Sequence, residues 1–145
     1  MKQQDFLEKL DQQRIVAAIG DAERQTSGEI RVHVQPRAGN KLREVAEKTF
    51  ERLGMTKTEL RNGVLLFIAS EDQTFVILGD AGLNERVPAG FWDEIAAKLT
   101  MRFKAGELTE GIVEAIQAAG EQLRHYFPVA SDDVNELTND INIEH

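Results

Sequence analysis

The sequence predicts an α/β domain in which a small mixed β-sheet lies between helices as a three-layer sandwich. Three observations support this fold class. A segment of alternating character, residues 30–34, is followed by a helical pattern and then by an unbroken apolar run, residues 64–69. A strand–helix–strand unit of this kind makes a right-handed crossover between parallel strands. A second apolar run, residues 75–78, comes after the polar segment SEDQ and predicts an antiparallel hairpin partner.

The N-terminal segment has the pattern of a helix that is interrupted once. Its apolar residues recur every three or four positions among Glu, Gln, Lys and Ala, and a break is expected near Asp11. The segment Thr26-Ser27-Gly28 ends the pattern, because Gly28 adopts turn conformations that other residues resist. The apolar positions are Phe6, Leu7, Leu10, Ile15, Ala18, Ile19 and Ala22.

The two strands of the crossover differ in their surroundings. In the first strand, Ile30, Val32 and Val34 alternate with polar residues, which predicts an edge strand with one face in water. His33 belongs to that polar face and is therefore expected to be solvated. The run from Val64 to Ala69 has no polar alternation, which is typical of a central strand covered on both faces.

Three further helices follow from apolar spacing and helix-ending glycines. The first has an apolar face from Leu42 to Leu53 and ends at Gly54. Pro88 fits the first turn of the next helix, where its missing N–H has no intrahelical acceptor, and Gly106 ends that helix. The last helix is predicted to begin at residue 108 or 109.

Composition limits the classes of function. We expect residues 1–128 to form a single domain and residues 129–145 to form an acidic, disordered tail that carries much of the net charge of −8. No basic stripe is present, so a nucleic acid partner is not expected. The absence of Cys excludes disulfides and Cys-ligated metals. Neither a signal segment nor a long apolar window is present, and the expectation is a cytoplasmic protein without an integral membrane segment.

Polar residues are predicted to meet at one edge of the sheet. The parallel strands begin, and the third strand ends, at the same edge, which brings Asn62 and Asp80 together. Asp80, Asn62, Glu85 and Asp93 could supply oxygen ligands to a divalent cation, calcium or magnesium. Arg61 is a candidate contact for an anion such as phosphate. The alternative is structural, since Asn-Gly and Asp-Ala-Gly are common turn sequences and acidic residues favour helix N-termini.

Three segments resemble the TPM domain in its short cytoplasmic form: TSGEIRVHV at 26–34, RLGMTKTELRNGVLLFIA at 52–69, and FVILGDAGLNERVPAGFWDEI at 75–95. The resemblance implies an α/β sandwich with a small mixed sheet between helices. Relatives include a thylakoid-lumen protein of photosystem II repair that is described as an acid phosphatase, and others said to bind calcium or related cations. It also implies that loops 61–63 and 79–85 form the ligand region, and Asp80 is the first candidate ligand residue that the resemblance suggests.

Three functional hypotheses follow. The first is an accessory or regulatory domain that binds a divalent cation through loops at one sheet edge. The second is a metal-dependent phosphatase, which the resemblance implies, although the sequence contains no clear nucleophile. The third is a module that meets an unknown protein partner through the edge strand or the acidic tail.

Overall fold

A computed structural model describes residues 1–129 and 141–145 and contains the predicted sheet and helices. The helices are α1 (Gln3–Lys9), α2 (Gln12–Glu23), α3 (Leu42–Arg52), α4 (Ala81–Asn84), α5 (Phe91–Lys104) and α6 (Leu108–Tyr126). The strands are β1 (Glu29–Gln35), β2 (Gly63–Ala69), β3 (Thr74–Gly79) and β4 (Asn142–Ile143), in the spatial order β3-β2-β1-β4. A 3₁₀ turn, Met55–Lys57, follows α3. The predicted α/β class is confirmed.

The strand register places three chain segments at one edge of the sheet. Strands β1 and β2 are parallel, with Glu29 opposite Gly63. Strands β2 and β3 form the antiparallel hairpin, with Val64 opposite Gly79. The beginnings of β1 and β2 and the end of β3 are therefore neighbours, as the predicted topology requires.

Helices cover both faces of the sheet and give it two apolar layers. Strand β2 is buried at every position, because its side chains alternate between the two layers. On one face α1, α2, α5 and α6 pack against residues such as Val64 and Leu66. On the other face α3 and the 3₁₀ turn pack against Leu65 and Phe67. The N-terminal helix is interrupted as predicted, since Asp11 caps α2 by accepting a hydrogen bond from the Arg14 N–H.

Strand β1 is not the edge strand that its alternation predicts. Strand β4 lies parallel to it, with His33 opposite Asn142 and Val34 opposite Ile143. The prediction that His33 is solvated is wrong: its side chain is fully buried and its ring stacks on Phe67, with 5.1 Å between ring centroids. Helix α3 covers this face of the sheet, and β4 covers the edge of β1. Of the predicted disordered tail, residues 130–140 lie outside the described residues.

The segment between β3 and α5 also differs from prediction. Helix α5 begins at Phe91, so Pro88 precedes the helix and does not occupy its first turn. Gly90 stands at the N-cap with a left-handed backbone, φ 81°, which interrupts the helical path between Pro88 and Phe91. The short helix α4, which begins after Asp80, was not predicted. In the described part of the chain no helix has both the length and the apolar character needed to cross a bilayer.

Thr26 joins the loop before β1 to the end of α6. Its hydroxyl contacts the carbonyl oxygens of Leu123, at 3.0 Å, and Phe127, and accepts a hydrogen bond from the Gly28 N–H at 3.0 Å. Because the side chain is buried, Thr26→Val should lower the free energy of unfolding by about 1–3 kcal/mol. Urea unfolding measures this change, and Thr26→Ser, which keeps the hydroxyl, should lose less. Equal losses in both variants would contradict a role for these hydrogen bonds.

Candidate functional site at the sheet edge

The predicted meeting of two loops occurs at the edge where β2 begins and β3 ends. We call residues 61–63 and 79–85 the ligand rim. The Asp80 N–H donates to the Gly63 carbonyl oxygen at 2.9 Å, and the Gly82 N–H donates to the Arg61 carbonyl oxygen at 2.9 Å. Two backbone hydrogen bonds therefore hold the loops together, and they place Asn62 and Asp80 at the same sheet edge.

The Asp80 carboxylate forms a two-pronged ion pair with Arg61. Arg61 Nε donates to Oδ2 at 2.6 Å and Nη2 donates to Oδ1 at 2.7 Å. Oδ1 also accepts the Ala81 N–H at 2.8 Å, so Asp80 caps the N-terminus of α4. The hydrogen bonds to Asp80 raise the pKa of Arg61 above its ordinary value. The carboxylate is 6% exposed and the Arg61 side chain 48% exposed, so one partner is fixed and the other borders solvent.

The backbone of the rim is tightly constrained. Arg61 has φ 52°, a left-handed conformation that is uncommon for a residue with a side chain. Gly82 lies against the same turn, since a Cβ at this position would be 2.1 Å from the Leu60 carbonyl oxygen. Uncommon backbone conformations of this kind cluster at ligand sites and switches. The close approach of α4 to residues 60–61 thus fixes the position of the Arg61–Asp80 pair.

The other predicted ligands do not point to one centre. Asn62 is buried and its amide donates to Ser27 Oγ at 3.3 Å. Glu85 caps the end of α4, and Asp93 lies in the first turn of α5; both are exposed. Within residues 1–129 and 141–145, no group of three or more His, Asp or Glu side chains is arranged to hold a metal ion. The structure thus assembles the loops that were predicted but not a four-ligand cluster.

Trp92 supports the rim from the side of α5. Its indole N–H donates to Asn84 Oδ1 at 2.9 Å, and Asn84 Nδ2 donates to the Gly79 carbonyl oxygen at 2.7 Å. The indole also packs directly over Gly79, where an added Cβ would be 2.5 Å from the ring. Trp92 therefore holds the end of β3 in place and has a structural role here.

Sequence reasoning missed a buried carboxyl pair beside the rim. Glu23, at the end of α2, and Glu29, at the start of β1, are 3% and 1% exposed. Glu23 Oε2 accepts the Ile30 N–H at 2.8 Å. Burial, together with the adjacent Glu29 carboxyl, raises the pKa of Glu23 to about 8. No sequence signal distinguishes these residues from exposed acids, because one ends a polar helix and the other begins an alternating strand.

The rim offers few oxygen atoms that could coordinate a metal ion. Asp80 contributes one carboxylate, whereas the carbonyl oxygens of Arg61, Gly63 and Gly79 already accept hydrogen bonds. A set of this kind fits a hard cation that keeps most of its water ligands, which is the usual state of protein-bound Mg²⁺. It does not fit the full protein cage of a tight calcium site.

Comparison with known proteins places the chain in a family. A family model described as the TPM domain matches residues 1–122. The NMR structure of the BA42 protein from the psychrophilic bacterium Bizionia argentinensis is 44% identical, covers 92% of each chain and superimposes with a TM-score of 0.85.

A second solved structure shares the fold at low identity. The N-terminal domain of the cg2496 protein from Corynebacterium glutamicum is 14% identical, covers 86% of this chain and 77% of that one, and has a TM-score of 0.61. No curated protein matches the chain. The match over residues 1–122 and the 44% identity to BA42 show that this chain belongs to the TPM domain family.

Proposed function

We propose that this TPM domain binds a divalent cation, calcium or magnesium, at the ligand rim and has an accessory, cytoplasmic role. The observation that supports this most directly is the Arg61–Asp80 pair. A carboxylate that is 6% exposed is neutralised by a side chain that is 48% exposed. Arg61 can therefore turn into solvent while Asp80 stays in place at the start of α4, and the freed carboxylate would then hold the ion.

This arrangement makes Arg61 a competitor of the cation. Asp80 Oδ1 and Oδ2 both accept from Arg61, so a cation would gain the carboxylate only as the guanidinium leaves it. Competition of this kind, with a single protein carboxylate, gives weak binding, with a dissociation constant on the order of 1 mM. The proposal thus predicts that neutralising Arg61 strengthens cation binding and that neutralising Asp80 abolishes it.

Two variants test the proposal by calorimetric titration with CaCl₂ and MgCl₂. Arg61→Gln should bind the cation about 3- to 10-fold more tightly than the unaltered protein, because the competing charge is gone. Asp80→Asn should show no binding at the same concentrations. Asn is a good helix N-cap, so α4 should persist in this variant. If Arg61→Gln binds no cation, or Asp80→Asn binds as well as the unaltered protein, the rim is not the cation site.

The same two variants distinguish an anion site from a cation site. If the ligand is an anion, Arg61 receives it and Asp80 is the competitor, so both effects reverse. Titration with inorganic phosphate should then show loss of binding in Arg61→Gln and tighter binding in Asp80→Asn. Phosphate binding is the first step that a phosphatase would need, so this titration also tests that alternative function.

A further inference from the structure

The edge of β1 receives the C-terminal segment of the chain, residues 141–145, which we call the C-terminal strand segment. Asn142 and Ile143 pair with His33 and Val34 in parallel register. The Glu144 N–H continues the pairing by donating to the Val34 carbonyl oxygen at 2.9 Å. Backbone hydrogen bonds of this type give affinity to strands that dock on sheet edges.

Side chains of the domain contact Ile141, Asn142 and Glu144 of the docked segment. Ile141 packs against the main apolar core. The Asn142 amide contacts His33 Nδ1 at 2.6 Å, and His33 Nε2 contacts Gln35 Oε1 at 2.8 Å, which orients the buried ring. These contacts are made to an aliphatic residue followed by an amide.

The last contacts are made to an acidic residue. The Glu144 carboxylate lies 3.7 Å from Arg52 on α3 and 3.8 Å from His33 Nε2. The Glu144 carbonyl oxygen accepts from Gln3 Nε2 at 2.7 Å. The edge of β1 therefore holds, in extended conformation, a segment whose sequence is aliphatic–Asn–aliphatic–acidic.

The residues that form this site lie within the region matched by the family model, residues 1–122, whereas the segment that fills it, residues 141–145, lies beyond that region. The neighbouring part of the same strand edge is closed by the domain itself, since Glu23 accepts the Ile30 N–H. Among the residues that the structure describes, the C-terminal strand segment completes the portion at His33 and Val34.

We propose that the edge of β1 at His33–Gln35 is a peptide-docking site for an extended aliphatic–Asn–aliphatic–acidic segment of a separate protein partner, and that residues 141–145 occupy it as an internal competitor. The seated segment shows the chemistry that the site accepts. The charge of Arg52 and the amide contact of His33 are complementary to that sequence. Because the competitor belongs to the same chain, its docking is intramolecular, and a separate partner must displace it.

The probe is a fluorescein-labelled synthetic peptide with the sequence of residues 139–145, and binding is measured by fluorescence anisotropy. In the full chain carrying Ile143→Asp, the internal strand should leave the site, and the peptide should bind at least about 10-fold more tightly than to the unaltered protein. Asn142→Ala, which removes only the contact to His33, should give a smaller gain. Circular dichroism must show that both variants keep the native fold.

Substitutions in the domain itself test whether the peptide binds at the edge of β1. In the Ile143→Asp background, Arg52→Gln should weaken peptide binding several-fold, whereas Arg43→Gln on the same helix should leave it unchanged. A scrambled peptide should not bind. The proposal is overturned if both folded tail variants bind the peptide no better than the unaltered protein, or if the scrambled peptide binds equally. It is also overturned if the unaltered protein forms a dimer that Ile143→Asp dissociates, since the strand then docks on a second copy.

Discussion

Glu23→Gln is expected to stabilise the protein above about pH 8, by about 2–4 kcal/mol in the free energy of unfolding. The reason is the burial of the Glu23 carboxyl group, which lies beside that of Glu29. Burial raises the pKa of Glu23 to about 8 from an ordinary value of 4.5. A Gln at this position still accepts the Ile30 N–H through its carbonyl oxygen, and its amide can donate to the neighbouring carboxyl group.

The direction of the pH dependence follows from the raised pKa. Below about pH 4.5, Glu23 is protonated in both the folded and the unfolded chain, and its contribution to stability is fully present. As the pH rises, the unfolded chain releases the proton while the folded chain keeps it, so stability falls until the folded pKa near 8 is passed. Glu23→Gln removes this fall, and its gain should therefore be large at about pH 8.5 and small at about pH 5.

Urea unfolding at the two pH values measures the effect. Glu47→Gln, an exposed change on α3, is the control and should alter stability by less than about 0.5 kcal/mol at either pH. An equal loss of stability in Glu23→Gln at both pH values would show that Glu23 is ionised in the folded protein and that its pKa is not raised.

Gly82→Ala is expected to destabilise the protein by about 1–3 kcal/mol and to displace the ligand rim. In an ordinary helix this change stabilises, because Ala is favoured over Gly. Here the new Cβ would lie 2.1 Å from the Leu60 carbonyl oxygen and 2.8 Å from that of Arg61. These are backbone atoms, so α4 or the turn at residues 60–61 must move. The sign of the stability change therefore reports the close approach.

Urea unfolding and the amide resonances of residues 60–63 provide the readouts for Gly82→Ala. Gly39→Ala is a control for the rim readout, because no atom lies within 4 Å of its added Cβ and its cost comes from the left-handed backbone, φ 70°. In that control the free energy of unfolding should fall by about 1–2 kcal/mol because of backbone strain, and the rim resonances should stay unchanged. A stabilised Gly82→Ala protein with unshifted rim resonances would contradict the packing of α4 against the turn.

Much of the fold could be predicted because its strands have distinct patterns. The uniform apolar run of β2 identifies the strand that both layers cover, and the polar turn after it forces β3 to return antiparallel. These two features fix the topology, and the topology alone brings Asn62 and Asp80 to one edge. The location of the rim could therefore be predicted without knowledge of side-chain contacts.

The remaining features depend on contacts that no local pattern encodes. His33 has the alternation of a solvated residue, but Phe67 and β4 cover it. Strand β4 consists of Asn142 and Ile143, and two residues are too few to show the alternating pattern of a strand. Its position is set by pairing with β1. Similarly, the topology predicted that Asp80 would lie near Arg61, but their pairing depends on the left-handed turn at Arg61.

The most direct test of the ligand rim is an amide NMR titration of the unaltered, ¹⁵N-labelled protein with CaCl₂ or MgCl₂ up to an order of 10 mM. The proposal predicts progressive shifts at residues 61–63 and 79–85, with a simultaneous change in the Arg61 Nε–H resonance as the guanidinium leaves Asp80. Unmoved rim resonances over this range, or shifts confined to another part of the chain, would contradict it.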